Sequence, residues 1–497
     1  MKNNRGEGVI EARAENATKV EEKPQKKWLP AAIIGGLLVV VIGGALLLGG
    51  AKNGSGGASL SDNINDTGVN WDKYDGQVIT LSGPGKQTIT EAGVYTLTGE
   101  LANGYVEVNS TGAVKLILNG VSITNTGGPA IYVSEAKLVT IETAEGSVNT
   151  LTDGSIYTGW DEDVCATLFA HDDLVLQGAG TLVVNGNYED GIVGKDDLKV
   201  VSGAYEINAK DEGLRGRDSV YVVDGELNIV AGGDAIKSNN SDEVGKGWVK
   251  IDGGEISASA GDDGVHAEST LEINGGVIKI AKSYEGLEGA NITINGGEIS
   301  VVASDDGLNA AGGNDSSSPN MSRYQNSSAS YAIYINGGKV YVNATGDGID
   351  SNGAVYVAGG EVVVDGPTNS GNGALDAETG VYYNGGSIVA VGASGMAVAP
   401  VTSSDGYSLS VFFSQTYNAG TEIEVRDANG NVILAHTSAK SFQHATLASE
   451  KLVAGATYYI YVNGEEYTNA TLSGKTTQVG QGGGMMGPGG GGAGFRR

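Results

Sequence analysis

One short pattern constrains this chain more than any other: an acidic corner, Glu189-Asp190-Gly191-Ile192, with six later copies. Acidic pairs return as Asp211-Glu212-Gly213-Leu214, Asp262-Asp263-Gly264-Val265 and Asp305-Asp306-Gly307-Leu308. Single-acid copies are Gly233-Asp234-Ala235-Ile236, Tyr284-Glu285-Gly286-Leu287 and Gly346-Asp347-Gly348-Ile349. The residue before the glycine slot is acidic every time: Asp190, Glu212, Asp234, Asp263, Glu285, Asp306 and Asp347. Gly191, Gly213 and Ala235 stand 22 residues apart, and Gly264, Gly286 and Gly307 follow at 29, 22 and 21. Between corners, two alternating runs flank a Gly-Gly turn. A period near 22 with three short strands and three turns fits one coil of a parallel β-helix, an all-β solenoid.

Alternation sends every second side chain inward. The expected inward set is Leu271, Ile273, Ile278, Ile280 and Leu287 on one coil. The next coils repeat it with Ile292, Ile294, Ile299, Val301 and Leu308, then Ile333, Ile335, Val340, Val342 and Ile349. Eighty-two glycines against 8 prolines, with no triplet period, agree with many tight turns. The single cysteine, Cys165, excludes an internal disulfide and reads as a small buried hydrophobe.

The chain divides by composition. Residues 1–28 are a polar leader, and 29–50 form an uncharged run long enough to cross a bilayer as a helix. Lysines on its N-terminal side place the leader in the cytoplasm and the rest outside, as a single-pass membrane protein. A linker (51–70) leads to the β-helix (71–400), whose less regular first part is expected to cap the solenoid. Polar insertions interrupt it at 238–246 and 312–330. A small C-terminal β subdomain (401–473) follows, with a hairpin turn expected at Asp427–Asn431, then a Gly-rich tail (474–497) expected to be disordered.

Coils stack about 4.8 Å apart. Carboxylates at that spacing repel by roughly 0.9 kcal/mol per adjacent pair even at the dielectric of water. A cation between coils removes that cost, and an all-oxygen supply favours Ca²⁺. The candidate metal ligands are Asp190, Asp211, Glu212, Asp234, Asp262, Asp263, Glu285, Asp305, Asp306, Asp347, Asp350 and Asp376. A tight Asp-Gly turn explains one acid per corner but not the recurring pairs. The net charge of −29 argues against nucleic acid as a partner.

The linked motifs Asp190–Leu198, Asp211–Asp218, Gly366–Asp376 and Gly392–Met396 resemble the bacterial cell-surface carbohydrate-binding β-helix family, related in fold to pectate lyases. The resemblance implies a right-handed parallel β-helix holding several Ca²⁺ ions, exported, and binding acidic plant polysaccharide such as polygalacturonate, or cellulose. Asp190, Asp211 and Glu212 also resemble the calcium-binding Asp-Gly corners of a pectate lyase family; Glu212 and Ala235 depart from that pattern. Lys195, Arg215, Arg217 and Lys237 are the basic candidates for carbohydrate contact, with compensation of the acids as their alternative role. His266 is expected on the surface, and no histidine joins a catalytic constellation. The expected function is a calcium-binding carbohydrate-binding protein rather than an enzyme; the alternatives are a calcium-dependent polysaccharide lyase or a surface scaffold with no glycan ligand.

Overall fold

A computed structural model describes residues 68–311 and 331–481. The leader, the apolar run 29–50, the linker to residue 67, the insertion 312–330 and the tail 482–497 lie outside the described residues. Among the described residues no helix is long and apolar enough to cross a membrane. The one helical element among the described residues is the 3₁₀ turn Trp71–Lys73.

The rest is strand, and the strands stack in three rows. One coil contributes Asp197–Val200 to the first stack, Ala204–Ala209 to the second and Leu214–Gly216 to the third. The next contributes Ser219–Val222, Glu226–Val230 and Ile236–Ser238, with Leu198 beside Val220, Tyr205 beside Leu227 and Leu214 beside Ile236. All these pairings are parallel, so the chain winds as a β-solenoid. The fifteen aliphatics assigned inward are each at most 1% exposed. At about 1.5–3 kcal/mol per buried side chain, they form the continuous core that drives the stacking.

The turn after the first stack is fixed by two devices. Gly276 and Gly297 have φ of +89° and +93°, which side chains adopt only under strain. A row of amides runs beside them: Asn274 donates to Asp252, Asn295 to Asn274 and Asn336 to Asn295, at 2.7, 2.7 and 2.8 Å. Each amide satisfies its neighbour, which holds successive coils in one register.

The region expected to be a cap is itself coiled. Gln77–Leu81 and Pro84–Ile89 already pair in parallel with Gly93–Leu101 and Asn103–Asn109. Its turns vary in length, and that hid the period. The seal observed is at the other end. Phe442–Ser449 pairs antiparallel with the last strand of the second stack, Ser387–Gly392, and with Ser408–Tyr417. A separate four-stranded antiparallel sheet packs there, including the expected hairpin of Glu422–Arg426 and Val432–Thr437. Thr476–Val479 corrects the expected tail: it pairs with Ser408–Val411, because the β-branched Thr476, Thr477 and Val479 suit a strand.

Candidate functional site

The third stack carries the acidic corners, and the register aligns them. Ile192, Leu214, Ile236, Val265, Leu287, Leu308 and Ile349 pair in succession. The seven acids stand two residues before these and form one row. The backbone closes the row as well. Gly191 N–H donates to Glu212 O, Gly213 to Asp234, Ala235 to Asp263, Gly264 to Glu285, Gly286 to Asp306 and Gly307 to Asp347, all at 2.9–3.0 Å. Several acids cap the following coil with their side chains too. Asp190 accepts from Glu212 N–H at 3.1 Å, Asp234 from Asp263 at 2.8 Å, Asp306 from Asp347 at 2.5 Å and Asp347 from Gly373 at 2.5 Å. The residues before them, Glu189, Asp211, Asp262 and Asp305, are less buried and bond along their own backbone row, for example Asp211 N–H to Glu189 O at 2.9 Å.

The glycine slot is set by close approach, not by φ. A Cβ on Gly264 would lie 2.4 Å from Ile280 Cδ1 and 2.6 Å from Gly286 O; one on Gly213 would lie 2.4 Å from Ile229 Cγ2. Ala235 escapes because the register puts Ala258 where the neighbouring coil has Ile229. One small residue has moved from the corner into the core.

Three residues past each acid a second outward column runs parallel to the first: Val193, Arg215, Lys237, His266, Glu288, Asn309 and Asp350. This column divides the row into two halves. In the first half cations meet the acids. Arg215 reaches Asp190 at 2.5 Å and Cys165 Sγ at 2.8 Å, while Lys237 bridges two coils through Glu212 at 3.0 Å and Asp234 at 2.6 Å. Asp190 is buried, and burial together with its hydrogen bond to Glu212 pushes it up to about 8. Glu212 is held down to about 2: burial opposes this, but Asp190 and Lys237 outweigh it. Compensation is therefore the role the structure gives Arg215 and Lys237. Lys195 lies 3.6 Å from Asp163, and Arg217 pairs with Asp218 at 3.2 Å, outside the row.

His266 marks the boundary. It was expected at the surface, but it is buried with Nδ1 3.1 Å from Asp263 and against Glu288. Burial disfavours its charge, yet these carboxylates hold its pKa well above the usual histidine value. Cys165 is buried, as expected.

In the second half no ion pair among the described residues reaches Glu285, Asp306, Asp347, Asp350 or Asp376. Burial, then Glu288 and Asp263, push Glu285 up to about 9. Asp306 rises to about 7 and Asp347 to about 6, through burial first and neighbouring acids next. Asp350 rises to about 7 through burial, then Asp347 and Asp376. Asp263, Glu285 and Glu288 bring carboxylate oxygens within 4.8 Å of one another. Two buried oxygens here have no hydrogen-bond partner, Asp263 Oδ1 and Asn309 Oδ1, while Asn309 donates to Glu285 at 2.7 Å. Hard oxygen donors with unfilled acceptor capacity fit Ca²⁺, which such a cluster would hold through Asp263, Glu285, Glu288 and Asn309. Asp190, Asp211 and Glu212 form a second oxygen cluster, but Arg215 and Lys237 already occupy its charge. Glu288 and Asn309 were missed from the sequence. Their signal was the fixed spacing of three residues from each acid.

Residues 84–323 match the family model described as "Carbohydrate-binding domain-containing protein". A protein of that description from Acetivibrio thermocellus is 35% identical over 146 residues, which is 28% of this chain. The match spans 50% of that relative's length. Among solved structures, the polysaccharide lyase-like protein from C. thermocellum, as a gadolinium derivative, shares 31% identity, covering 45% of this chain and 84% of that one at a TM-score of 0.36.

Proposed function

We propose that this chain is a carbohydrate-binding protein whose acidic row holds Ca²⁺ in its second half and takes acidic polysaccharide through those ions. The observation that carries the metal is the pair of buried oxygens left without partners, Asp263 Oδ1 and Asn309 Oδ1, beside Glu285, which no ion pair among the described residues reaches; His266 takes the other Asp263 oxygen and Glu288. The match of residues 84–323 to a carbohydrate-binding family model supports the ligand class. A uronate carboxylate completes the coordination of a partly exposed ion near Asp347, Asp350 and Asp376, and so an acidic protein binds an acidic polymer. Polygalacturonate is the first ligand to try, and cellulose the neutral comparison.

Binding is favoured over lyase chemistry by the state of the bases. A lyase needs a base free to take a proton from carbon. Lys237 is pinned between Asp234 and Glu212, which raise its pKa against the lowering effect of burial, and Arg215 is pinned on Asp190. The apolar run 29–50 is proposed as the single-pass anchor that places this domain outside the cell.

The test is retention on a polygalacturonate gel, with calcium and with chelator. Retention that chelator removes, with no absorbance from unsaturated product, is the expected result. Glu285→Gln together with Asp347→Asn should weaken calcium binding by calorimetry at least tenfold. Calcium binding unchanged in that double variant would overturn the metal assignment.

A further inference from the structure

The first stack carries, on its outer surface, a row of a different chemistry from the acids. One residue per coil, the register runs Lys250, Glu272, Thr293, Tyr334, Tyr356 and Tyr382. The three tyrosines stack in parallel, with ring centroids 5.1 and 4.9 Å apart and planes within 6° and 18°. Tyr334 is 37% exposed. It ends the tyrosine stack, and its register neighbour on the preceding coil is the small Thr293. The other rings present edges and hydroxyl groups outward, and none of the three hydroxyls has a hydrogen-bond partner among the described residues.

At the other end of the row, Trp248 stands on the coil of Lys250. Pairing of Val249 with Leu271 sets small Thr270 against the indole on the next coil. A cavity of about 270 Å³ opens there, lined by Trp248, Lys250, Ser269, Thr270 and Glu272. An indole wall ringed by an ammonium, a carboxylate and hydroxyls suits a sugar ring, which has an apolar C–H face and a polar rim. The volume is that of one small ring, not of a larger cofactor.

We infer that this row is a second glycan-binding surface, in which one sugar of an extended polysaccharide sits against Trp248 and the chain runs along the solenoid axis over the tyrosines. The occupant follows from the repeat. Coils advance about 4.8 Å each, so the six positions from Lys250 to Tyr382 span about 24 Å in a straight line. That advance is comparable to one residue of an extended β-linked glycan, so a polymer with a matching translation can repeat the same contacts coil after coil. The tyrosine hydroxyls and Lys250, Glu272 and Thr293 supply donors and acceptors along its edge. Binding here involves no acid of the third stack and needs no metal. The inference rests on the carbohydrate-binding reading above for its ligand class, and on none of that reading's metal chemistry.

Affinity electrophoresis of the full chain, in gels containing soluble polygalacturonate or hydroxyethyl cellulose, with calcium or with chelator, separates the two. Retention of the wild type by hydroxyethyl cellulose in chelator is expected, beside the chelator-sensitive retention by polygalacturonate. Trp248→Ala and the double variant Tyr334→Ala, Tyr356→Ala should each weaken it about tenfold while the thermal melt shows a folded protein. Tyr356→Phe, which keeps the stack and removes one hydroxyl, should weaken it less. The row is overturned if these variants migrate like wild type, or if all wild-type retention vanishes with chelator; the latter leaves the calcium-dependent reading standing. Retention by neither glycan under any condition overturns both.

Discussion

At the scale of single residues, the corner is governed by a pairing of small and large side chains across coils. A glycine at the corner leaves room for a branched residue in the next coil, as Gly264 does for Ile280. Gly264→Ala should therefore destabilise the protein by roughly 1–3 kcal/mol, as overpacking against backbone and core does, measured by urea unfolding. The natural exception predicts its own rescue. Ala258→Ile should be destabilising beside Ala235 and much less so in combination with Ala235→Gly, which restores the arrangement of the other coils. A double-mutant cycle gives the coupling, and additive effects would refute the pairing. The glycine positions were legible in the sequence as a period. Their cause was not, because the clash is with a residue on another coil.

At the scale of the row, the two columns act together. The halves with and without cations differ in what pH does to them. Glu285, Asp306, Asp347 and Asp350 sit at about 9, 7, 6 and 7, all above the ordinary carboxyl range near 4. The folded state thus holds protons more tightly than the unfolded chain. Their contribution is fully present below the unfolded values and is lost as pH rises through about 6 to 9. Metal-free protein should melt highest near pH 5 and progressively lower toward pH 9. Millimolar calcium should flatten that slope; a metal-free melt indifferent to pH would show that the acids do not confront one another. The alignment of the seven acids could be read from spacing alone, and so could the inward aliphatics. The division into halves could not. Val193, Arg215, Lys237, His266 and Glu288 share a spacing of three residues from each acid but no common chemistry, so their residue types do not mark them as one column. His266 was expected at the surface because it falls on an outward position; Asp263 and Glu288 bury it there.

At the scale of the molecule, the solenoid is closed by a polar clasp as well as by apolar packing. Asp365, fully buried on the second stack, accepts from His436 at 2.8 Å, Ser438 at 2.9 Å and Tyr341 at 2.9 Å. Burial works against its charge, but His436 and Ser438 hold its pKa below the usual value. His436→Ala should cost about 1–3 kcal/mol by leaving that carboxylate short of a donor, read as a lower urea midpoint. The clasp titrates in the opposite sense to the acidic row: its contribution is present above the unfolded value and is lost in acid. Tertiary contacts of this kind join residues 71 apart and left no pattern for the sequence to show.

The coiled winding has a mechanical consequence. Away from the C-terminal clasp each coil pairs its strands with the coils on either side of it, and a typical one holds 22 residues within an axial advance of about 4.8 Å. Drawn out at 3.3–3.6 Å per residue, one such coil yields roughly 70 Å of new length. Under tension along its axis, the domain would give way coil by coil, each step adding far more length than the height it removes from the stack.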